Sequence, residues 1–177
     1  MKAVAFLVFT VTSIMVSCGP GKSDVSNQKQ SPEAAQAGES AGVSVPGIEK
    51  LDFTDTITLK ASGNMRFDKE LFRVRAGRKI RMMLINTSAK LPASMVHNVV
   101  ILKTGTDIAD FADVARDAKA EDYVPSSLDS LVITHTKLVG GGDSTAVDFT
   151  ISKAGVYDFI CSFPGHWGMM QGKIVAQ

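Results

Sequence analysis

A thiol, an imidazole and two thioethers lie close together near the C-terminus of this chain. The segment runs from Cys161 to Met170 as Cys-Ser-Phe-Pro-Gly-His-Trp-Gly-Met-Met. Soft sulfur ligands combined with imidazole favour copper among the first-row metals, and two histidines and a cysteine with a distant methionine form the blue-copper arrangement. The spacing of these residue types therefore indicates a metal-binding loop.

A second imidazole has to come from elsewhere in the chain, because the loop contains only His166. His97 lies in an apolar run, Met95 to Ile101, that is typical of a buried strand. His135 shares one face of a predicted strand with Lys137, so we expect it to face solvent. His97 is thus the expected second nitrogen ligand.

Taken singly, these residues have a simpler interpretation, because a free cysteine or a methionine is often only a packing residue of the core. The joint pattern favours the metal. Pro164-Gly165 predicts a turn between Cys161 and His166, and this turn would bring the sulfur, the imidazole and a following methionine to one point.

The chain has 177 residues and a formal net charge of +1. This length fits one domain with attached segments, and the charge gives no reason to expect a nucleic-acid partner. Residues 1–17 carry Lys2 and then an apolar run, the pattern of an export signal. Residues 19–47 lack apolar periodicity and have a composition that cannot form a core, which predicts a flexible linker.

Cys18 directly follows the export signal, after Met15-Val16-Ser17. This sequence looks like a bacterial lipobox, with Met15 in the place of the usual leucine. The alternative is an ordinary signal peptide with an incidental cysteine, but free thiols are uncommon in exported proteins. We therefore expect residues 18–47 to be a lipidated N-terminus and linker, and we expect no disulfide between Cys18 and Cys161.

About eight short runs with alternating or continuous apolar character follow, bounded by Gly, Asn, Asp and Pro, which predicts strands. They lie near residues 56–60, 71–75, 79–86, 97–102, 131–138, 146–151, 155–161 and 172–176. Residues 106–119 instead place apolar side chains at helical spacing, with acidic residues early in the run. The pattern indicates an all-β sandwich or barrel with one helix.

From about residue 50 to residue 177 the chain resembles the azurins and the azurin-like auracyanins, which are cupredoxins. The resemblance rests on Cys-Ser-Phe-Pro-Gly-His at 161–166 with Met170 following, on His97-Asn98, and on Thr-His-Thr-Lys-Leu at 134–138 followed by Gly140. It implies that residues 48–177 form an eight-stranded Greek-key β-sandwich with one short helical flap.

The resemblance also implies a ligand set for one type 1 copper ion. This set comprises His97, Cys161 and His166, and the interval from His166 selects Met170 rather than Met169 as the axial ligand. The residue equivalent to His135 is not a ligand in the family, in agreement with the strand pattern.

Residues next to the ligands are expected to shape the site. Azurins carry a glycine before the first histidine, and its carbonyl oxygen approaches the metal. Val96 stands there in this chain and its Cβ hinders such an approach, so only its backbone oxygen is a candidate contact. Asn98 is expected to tie the two ligand loops together by hydrogen bonds, and Phe163 is the other expected neighbour of the ligands.

We expect His97, Cys161 and His166 to hold copper nearly rigidly, and such a site is typical of a one-electron carrier. The alternative is a copper-binding or delivery protein without a redox cycle, which needs open, exchangeable ligands. An enzyme is not expected, because three histidines cannot build the additional copper centre of a multicopper oxidase or nitrite reductase. The resemblance implies redox partners such as c-type cytochromes or membrane respiratory or photosynthetic complexes. With the export signal, it predicts a periplasmic or outer-face location on a bacterial membrane.

Redox partners are expected to dock on an apolar face around His166, whose outward edge the resemblance implies as the exit of the electron. Loops lie mostly at surfaces, apolar patches mark interaction sites, and tryptophan is enriched among binding hot spots. Trp167 is therefore expected to be an exposed aromatic side chain. The expected face comprises Phe163, Pro164, Trp167, Met169, Met65 and Met95.

Replacing the anchor cysteine provides a test of the lipid attachment. Cys18→Ser is expected to release the protein from membranes, because a stable anchor requires the acyl chains that only the cysteine can carry. The visible copper spectrum should not change, since a linker separates the anchor from the site. Membrane fractionation and mass spectrometry of the N-terminus measure the outcome. Continued membrane association of the variant would contradict the lipid anchor.

Overall fold

The computed structural model describes residues 45–88 and 95–177. The predicted export signal, Cys18 and nearly all of the predicted linker lie outside these residues. Within the described part of the chain, no helix is long and apolar enough to cross a membrane.

Two β-sheets enclose the main core, so the predicted β-sandwich is confirmed. One sheet has the strand order β2-β1-β4-β7 and the other has the order β3-β9-β8-β5-β6. β1 pairs in parallel with β4, and β3 with β9, while the other pairs are antiparallel. The strands are β1 Thr56–Ser62, β2 Arg66–Phe67, β3 Leu71–Val74, β4 Lys79–Asn86, β5 Val100–Leu102, β6 Val132–His135, β7 Ser144–Thr150, β8 Gly155–Ile160 and β9 Gln171–Ala176.

The described residues thus form nine strands rather than the predicted eight. The additional strand is β2, which has two residues and is too short to produce a hydrophobic period. The predicted strand at 97–102 begins only at Val100, and His97 forms an isolated bridge to Val139 instead. This difference matters for function, because His97 lies in the loop that precedes β5 and not within the sheet.

Alternation along the strands places the main core between the sheets. In β4 the side chains of Ile80, Met82 and Leu84 are buried, while Lys79 and Arg81 are exposed. Burial of such aliphatic side chains stabilises the fold by roughly 1.5–3 kcal/mol each. Cys161 and Met170 belong to the same apolar cluster. The core and the metal loop are therefore continuous.

A helical flap covers the outer face of the second sheet. Its helix, α1 Ile108–Ala115, is shorter than the predicted 106–119 and begins after Asp107, whose Oδ1 accepts hydrogen bonds from the N–H groups of Ala109 and Asp110. Two 3₁₀ helices, Lys119–Glu121 and Ser126–Leu131, lead on to β6. Beneath the flap lies a second apolar cluster of Val100, Leu102, Phe111, Ala115, Val124 and Ile160.

The flap explains why β5 is apolar without alternation. Ile101 faces the main core, whereas Val100 and Leu102 face the flap, and all three side chains are buried. A strand covered on both faces has no solvent side for polar residues. Val100 and Ile160 both pack beneath the flap, and they lie next to the segments that carry His97 and Cys161. The flap therefore supports the end of the second sheet from which these segments start.

Candidate metal centre

A hairpin between β8 and β9 carries the metal loop. Ile160 pairs with Gln171 across the two strands, so the loop is residues 161–170. Its first and last residues are joined by a hydrogen bond of 2.9 Å from the Cys161 N–H to the Met170 carbonyl. The register of the sheet therefore determines where both sulfur-containing residues lie.

The Pro-Gly turn predicted from the sequence shapes the middle of the loop. The His166 N–H donates to the Phe163 carbonyl at 3.0 Å, and Gly165 has φ +82°. These features are those of a type II turn with Pro164 at its second position and glycine at its third. The turn directs His166 back toward Cys161.

Backbone contacts from outside the loop hold His97. Its N–H donates to the Val139 carbonyl at 3.1 Å, and its carbonyl accepts from the Val139 N–H at 2.9 Å. Asn86, fully buried at the end of β4, donates from Nδ2 to the carbonyls of Met95 at 2.8 Å and Val139 at 3.1 Å. The segment that carries His97 is thereby tied to β4 and to Val139.

These elements bring His97, Cys161 and His166 together as a buried group whose ligand atoms all lie within 4.8 Å of one another. The Cys161 Sγ lies 3.9 Å from Nδ1 of His97 and 3.7 Å from Nδ1 of His166. A trigonal ion with bonds of about 2.1 Å to nitrogen and about 2.3 Å to sulfur would separate these atoms by about 3.8 Å. The residues present therefore fit one metal ion.

Burial sets the charges of the ligands. Desolvation, and next the nearby His166, lower the pKa of His97 to about 4, so its imidazole is neutral at neutral pH. Burial raises the pKa of the Cys161 thiol to about 11, although hydrogen bonds from the backbone N–H groups of Asn98 and Phe163 act in the opposite direction. A bound cation would supply the positive charge that holds the buried sulfur as a thiolate.

Asn98 connects the two ligand segments as expected. Its Oδ1 accepts from the backbone N–H of Ser162 at 2.9 Å, and its Nδ2 donates to the Ser162 Oγ at 2.9 Å. The same Nδ2 group donates to the Asp122 carbonyl in the flap at 3.1 Å. One buried amide thus links the residue beside His97, the residue beside Cys161 and the flap.

The two candidate axial residues differ in burial. Met170 is fully buried, and its N–H donates to the His166 carbonyl at 2.9 Å, whereas 42% of the Met169 surface is exposed. This contrast supports the choice of Met170. Val96 is half-buried, and a contact from its carbonyl oxygen to the metal stays a prediction. His135 is exposed, as its strand pattern indicated.

The expectation of an exposed Trp167 is wrong. The ring is half-buried and packs against the apolar cluster beneath the flap. Sequence position alone did not reveal this contact, because the flap that covers the ring precedes it by some fifty residues in the chain. Phe163 and Pro164 are half-buried, as are Met65 and Met95, so Met169 is the exposed member of the expected face.

Two buried polar residues that the sequence pattern did not reveal also support the site. Asn86 holds the segment before His97, and Thr136 accepts a hydrogen bond at its Oγ1 from the Val99 N–H at 2.9 Å. Both lie at the ends of apolar strands, where a polar residue is usually interpreted as solvent-exposed. A polar residue that ends an otherwise buried face is the signal that could have identified Asn86.

The chain is similar in sequence to a family of copper-binding proteins and to individual curated proteins. Residues 55–177 match the family described as copper binding proteins, plastocyanin/azurin family. Azurin-2 of Alcaligenes xylosoxydans xylosoxydans is 35% identical over 121 residues, which cover 66% of this chain and 93% of that protein. Outer membrane protein H.8 of Neisseria gonorrhoeae is 36% identical over 120 residues, covering 66% of this chain and 64% of that protein.

Two solved auracyanin structures have the same fold. The dithionite-reduced auracyanin of the photosynthetic bacterium Roseiflexus castenholzii has a TM-score of 0.64 and 31% identity, covering 71% of this chain and 99% of that one. Auracyanin A of Chloroflexus aurantiacus, a "blue" copper protein, has a TM-score of 0.62 and 33% identity, covering 69% of this chain and 98% of that one.

Glutamine at each methionine tests the axial position. Met170→Gln is expected to lower the reduction potential by about 60 mV or more, a tenfold change in equilibrium, because a hard oxygen ligand favours cupric copper more than a thioether does. Met169→Gln is the matched control and should leave the potential nearly unchanged, since this side chain points toward solvent. Voltammetry of both copper-loaded variants measures the difference. An equal or larger shift from Met169→Gln would exclude the assignment.

Proposed function

This chain belongs to the plastocyanin/azurin family of copper-binding proteins, and on that premise we propose that it carries single electrons between redox partners. Copper is its cofactor. Bound in this site, the ion supplies a one-electron couple between its cuprous and cupric states. His97, Cys161 and His166 would hold the ion, with the buried Met170 as a further proposed ligand.

The observation that carries the proposal is the preformed ligand group. Its sulfur already lies 3.7 and 3.9 Å from the two imidazole nitrogens inside a buried site. Backbone hydrogen bonds and the buried amides of Asn86 and Asn98 hold the ligand segments. Cuprous and cupric copper prefer different surroundings. Ligands held in fixed positions cannot adopt the geometry that either oxidation state prefers. The site therefore has nearly the same geometry in both oxidation states, and an electron can be gained or lost with little rearrangement.

The surroundings of the ligands would set the potential of this couple. Backbone N–H groups of Asn98 and Phe163 donate to the Cys161 sulfur, and such bonds withdraw electron density from the thiolate. The axial ligand and the hydrogen bonding around the cysteine sulfur are the usual means of tuning such sites. Asn98 also keeps the sulfur in place through its bonds to Ser162.

Burial argues against the copper-delivery alternative. His97 and Cys161 are fully buried and His166 is only 4% exposed, whereas a delivery protein needs ligands that a recipient can reach. An enclosed ligand group exchanges its metal slowly. The structure therefore favours a resident ion that changes its oxidation state.

Spectroscopy and voltammetry of the full-length protein loaded with Cu²⁺ test the proposal. We expect an intense visible band from charge transfer between the cysteine sulfur and cupric copper, and a reversible one-electron wave. Cys161→Ser should lose the band while circular dichroism still reports the β-sandwich, because serine lacks the soft sulfur. A colourless site that surrenders copper rapidly to a chelator would instead support delivery, and a coloured Cys161→Ser variant would exclude the ligand assignment.

We also propose that the copper domain is exported and tethered. Residues 1–17 would be the signal, residues 18–47 the lipidated N-terminus and linker, and residues 48–177 the copper domain. The lipobox-like sequence before Cys18 supports this division, as does the 36% identity to a protein named as an outer membrane protein. A linker of about 29 residues has a root-mean-square reach of roughly 30 Å, which would let the domain turn toward a partner.

The proposed docking face for redox proteins surrounds the metal loop, with Met169 as its exposed apolar contact. Met169→Glu is expected to slow electron self-exchange by about tenfold or more, because like charges facing each other across an encounter are strongly unfavourable. The matched control is Val114→Glu on the flap helix, since Val114 is exposed by 46% and Met169 by 42%. Nuclear magnetic resonance line widths of mixed oxidation states give the rate. Equal effects of the two variants would exclude this face.

A further inference from the structure

A row of aromatic rings extends from the ligands to the flap. The Phe163 ring lies 4.8 Å from the His166 ring between centroids, with an interplanar angle of 47°. On the other side, Tyr123 of the flap meets Phe163 at 5.0 Å in an edge-to-face arrangement of 73°. Phe163 therefore contacts both a ligand imidazole and an aromatic ring from a distant part of the chain.

The backbone at Tyr123 has an unusual conformation. Asp122 has φ 55° and Tyr123 has φ 61°, and two successive non-glycine residues in the left-handed region are uncommon. Such conformations persist only where the surroundings require them, and they cluster at functional sites.

Contacts on both sides require this conformation. The Tyr123 N–H donates to the Ala118 carbonyl at 3.0 Å, and the Asp122 carbonyl accepts from Asn98 Nδ2 at 3.1 Å. Val124, the next residue, is buried in the cluster beneath the flap. The flap backbone is thus attached to the neighbour of His97 immediately before it presents the tyrosine.

Tyr123 does not have the surroundings of an ordinary core residue. It is half-buried, and among the described residues neither apolar cluster includes it. A leucine or valine in this place would also bury apolar surface, but only a flat ring can form an edge-to-face pair with Phe163. The contact with Phe163 is therefore specific in geometry.

We propose that Tyr123 is a positioning residue of the copper site, which holds the Phe163 ring against His166 and so restricts the motion of that imidazole. The inference rests on the proposed electron-transfer function. His166 lies in the middle of the loop, where its ring is not set by sheet register as Cys161 and Met170 are. A Phe163 ring held in place by Tyr123 would limit the reorientation of the His166 imidazole between the two oxidation states.

Removal of the ring tests the proposal in the full-length, copper-loaded protein. Tyr123→Ala is expected to slow oxidation by hexacyanoferrate(III) about two- to tenfold, the range that corresponds to one aromatic edge contact. The electron paramagnetic resonance spectrum of the cupric protein should broaden, because His166 then samples several orientations. Tyr123→Phe keeps the ring and should restore both the rate and the spectrum.

Tyr157→Ala is the matched control, because Tyr157 is the other tyrosine of the chain. It is buried in the first half of β8 and donates from its hydroxyl to the Lys153 carbonyl at 2.8 Å, at the end of that strand opposite to the loop. This variant should lower the melting temperature without changing the resonance spectrum. If it changes the spectrum as Tyr123→Ala does, general destabilisation explains both variants and the proposal is wrong.

A double-mutant cycle shows whether Tyr123 acts through Phe163. In a Phe163→Leu background, Tyr123→Ala should have no further effect on the resonance spectrum. An undiminished effect would overturn the proposal, as would an unchanged spectrum of Tyr123→Ala alone. The electron paramagnetic resonance spectrum reports the copper site even if voltammetry of the wild-type protein shows no reversible one-electron wave. That outcome would count against the proposed function and not against the positioning role.

Discussion

The buried sulfur of Cys161 is the constraint on which the rest of the site depends. Without a metal, burial holds it as a neutral thiol with a pKa of about 11. The thiolate that copper requires becomes stable only if a cation and hydrogen-bond donors are placed around it in advance. The fold supplies the donors directly, through backbone N–H groups of Asn98 and Phe163. It also prepares the place for the cation, because the two imidazole nitrogens that would bind the metal ion lie 3.7 and 3.9 Å from the sulfur.

Backbone pairing at two places and two buried side-chain amides keep these groups in place. Cys161 and Met170 flank the hairpin of β8 and β9, so the register of the sheet places them. His97 depends on its bridge to Val139 and on the amide of Asn86. Loss of the hairpin register would displace Cys161 and Met170, and loss of the bridge to Val139 would displace His97. The amide of Asn98 couples these two segments to each other. Buried amides of this type are valuable only when fully hydrogen-bonded, as this one is.

The flap contributes more than a cover for apolar surface. Its cluster buries the outer sides of β5 and β8, the strands that end next to the two ligand segments. The flap also accepts a hydrogen bond from Asn98 at the Asp122 carbonyl, and the half-buried Trp167 packs against its apolar cluster. Packing of the flap and rigidity of the copper site are therefore connected, and the exposed apolar surface near the loop is reduced mainly to Met169.

Much of this protein could be predicted from local sequence. The Cys-to-Met loop determined the metal, because its donors and the Pro164-Gly165 turn lie within one segment of ten residues. Alternation determined the strands of the sandwich, since side chains on a strand face opposite sides by geometry. The solvent-exposed position of His135 followed from the same period.

Only the tertiary structure decided the features that depend on residues distant in sequence. The partial burial of Trp167, the support of the segment before His97 by Asn86 and the contact of Tyr123 with Phe163 each join segments separated by at least nine residues. No periodicity encodes such contacts, because they arise where two sheets and a flap meet. The short strand β2 and the start of β5 at Val100 also depend on their pairing partners. Sequence thus specified the chemistry of the donors, and packing specified how firmly they are held.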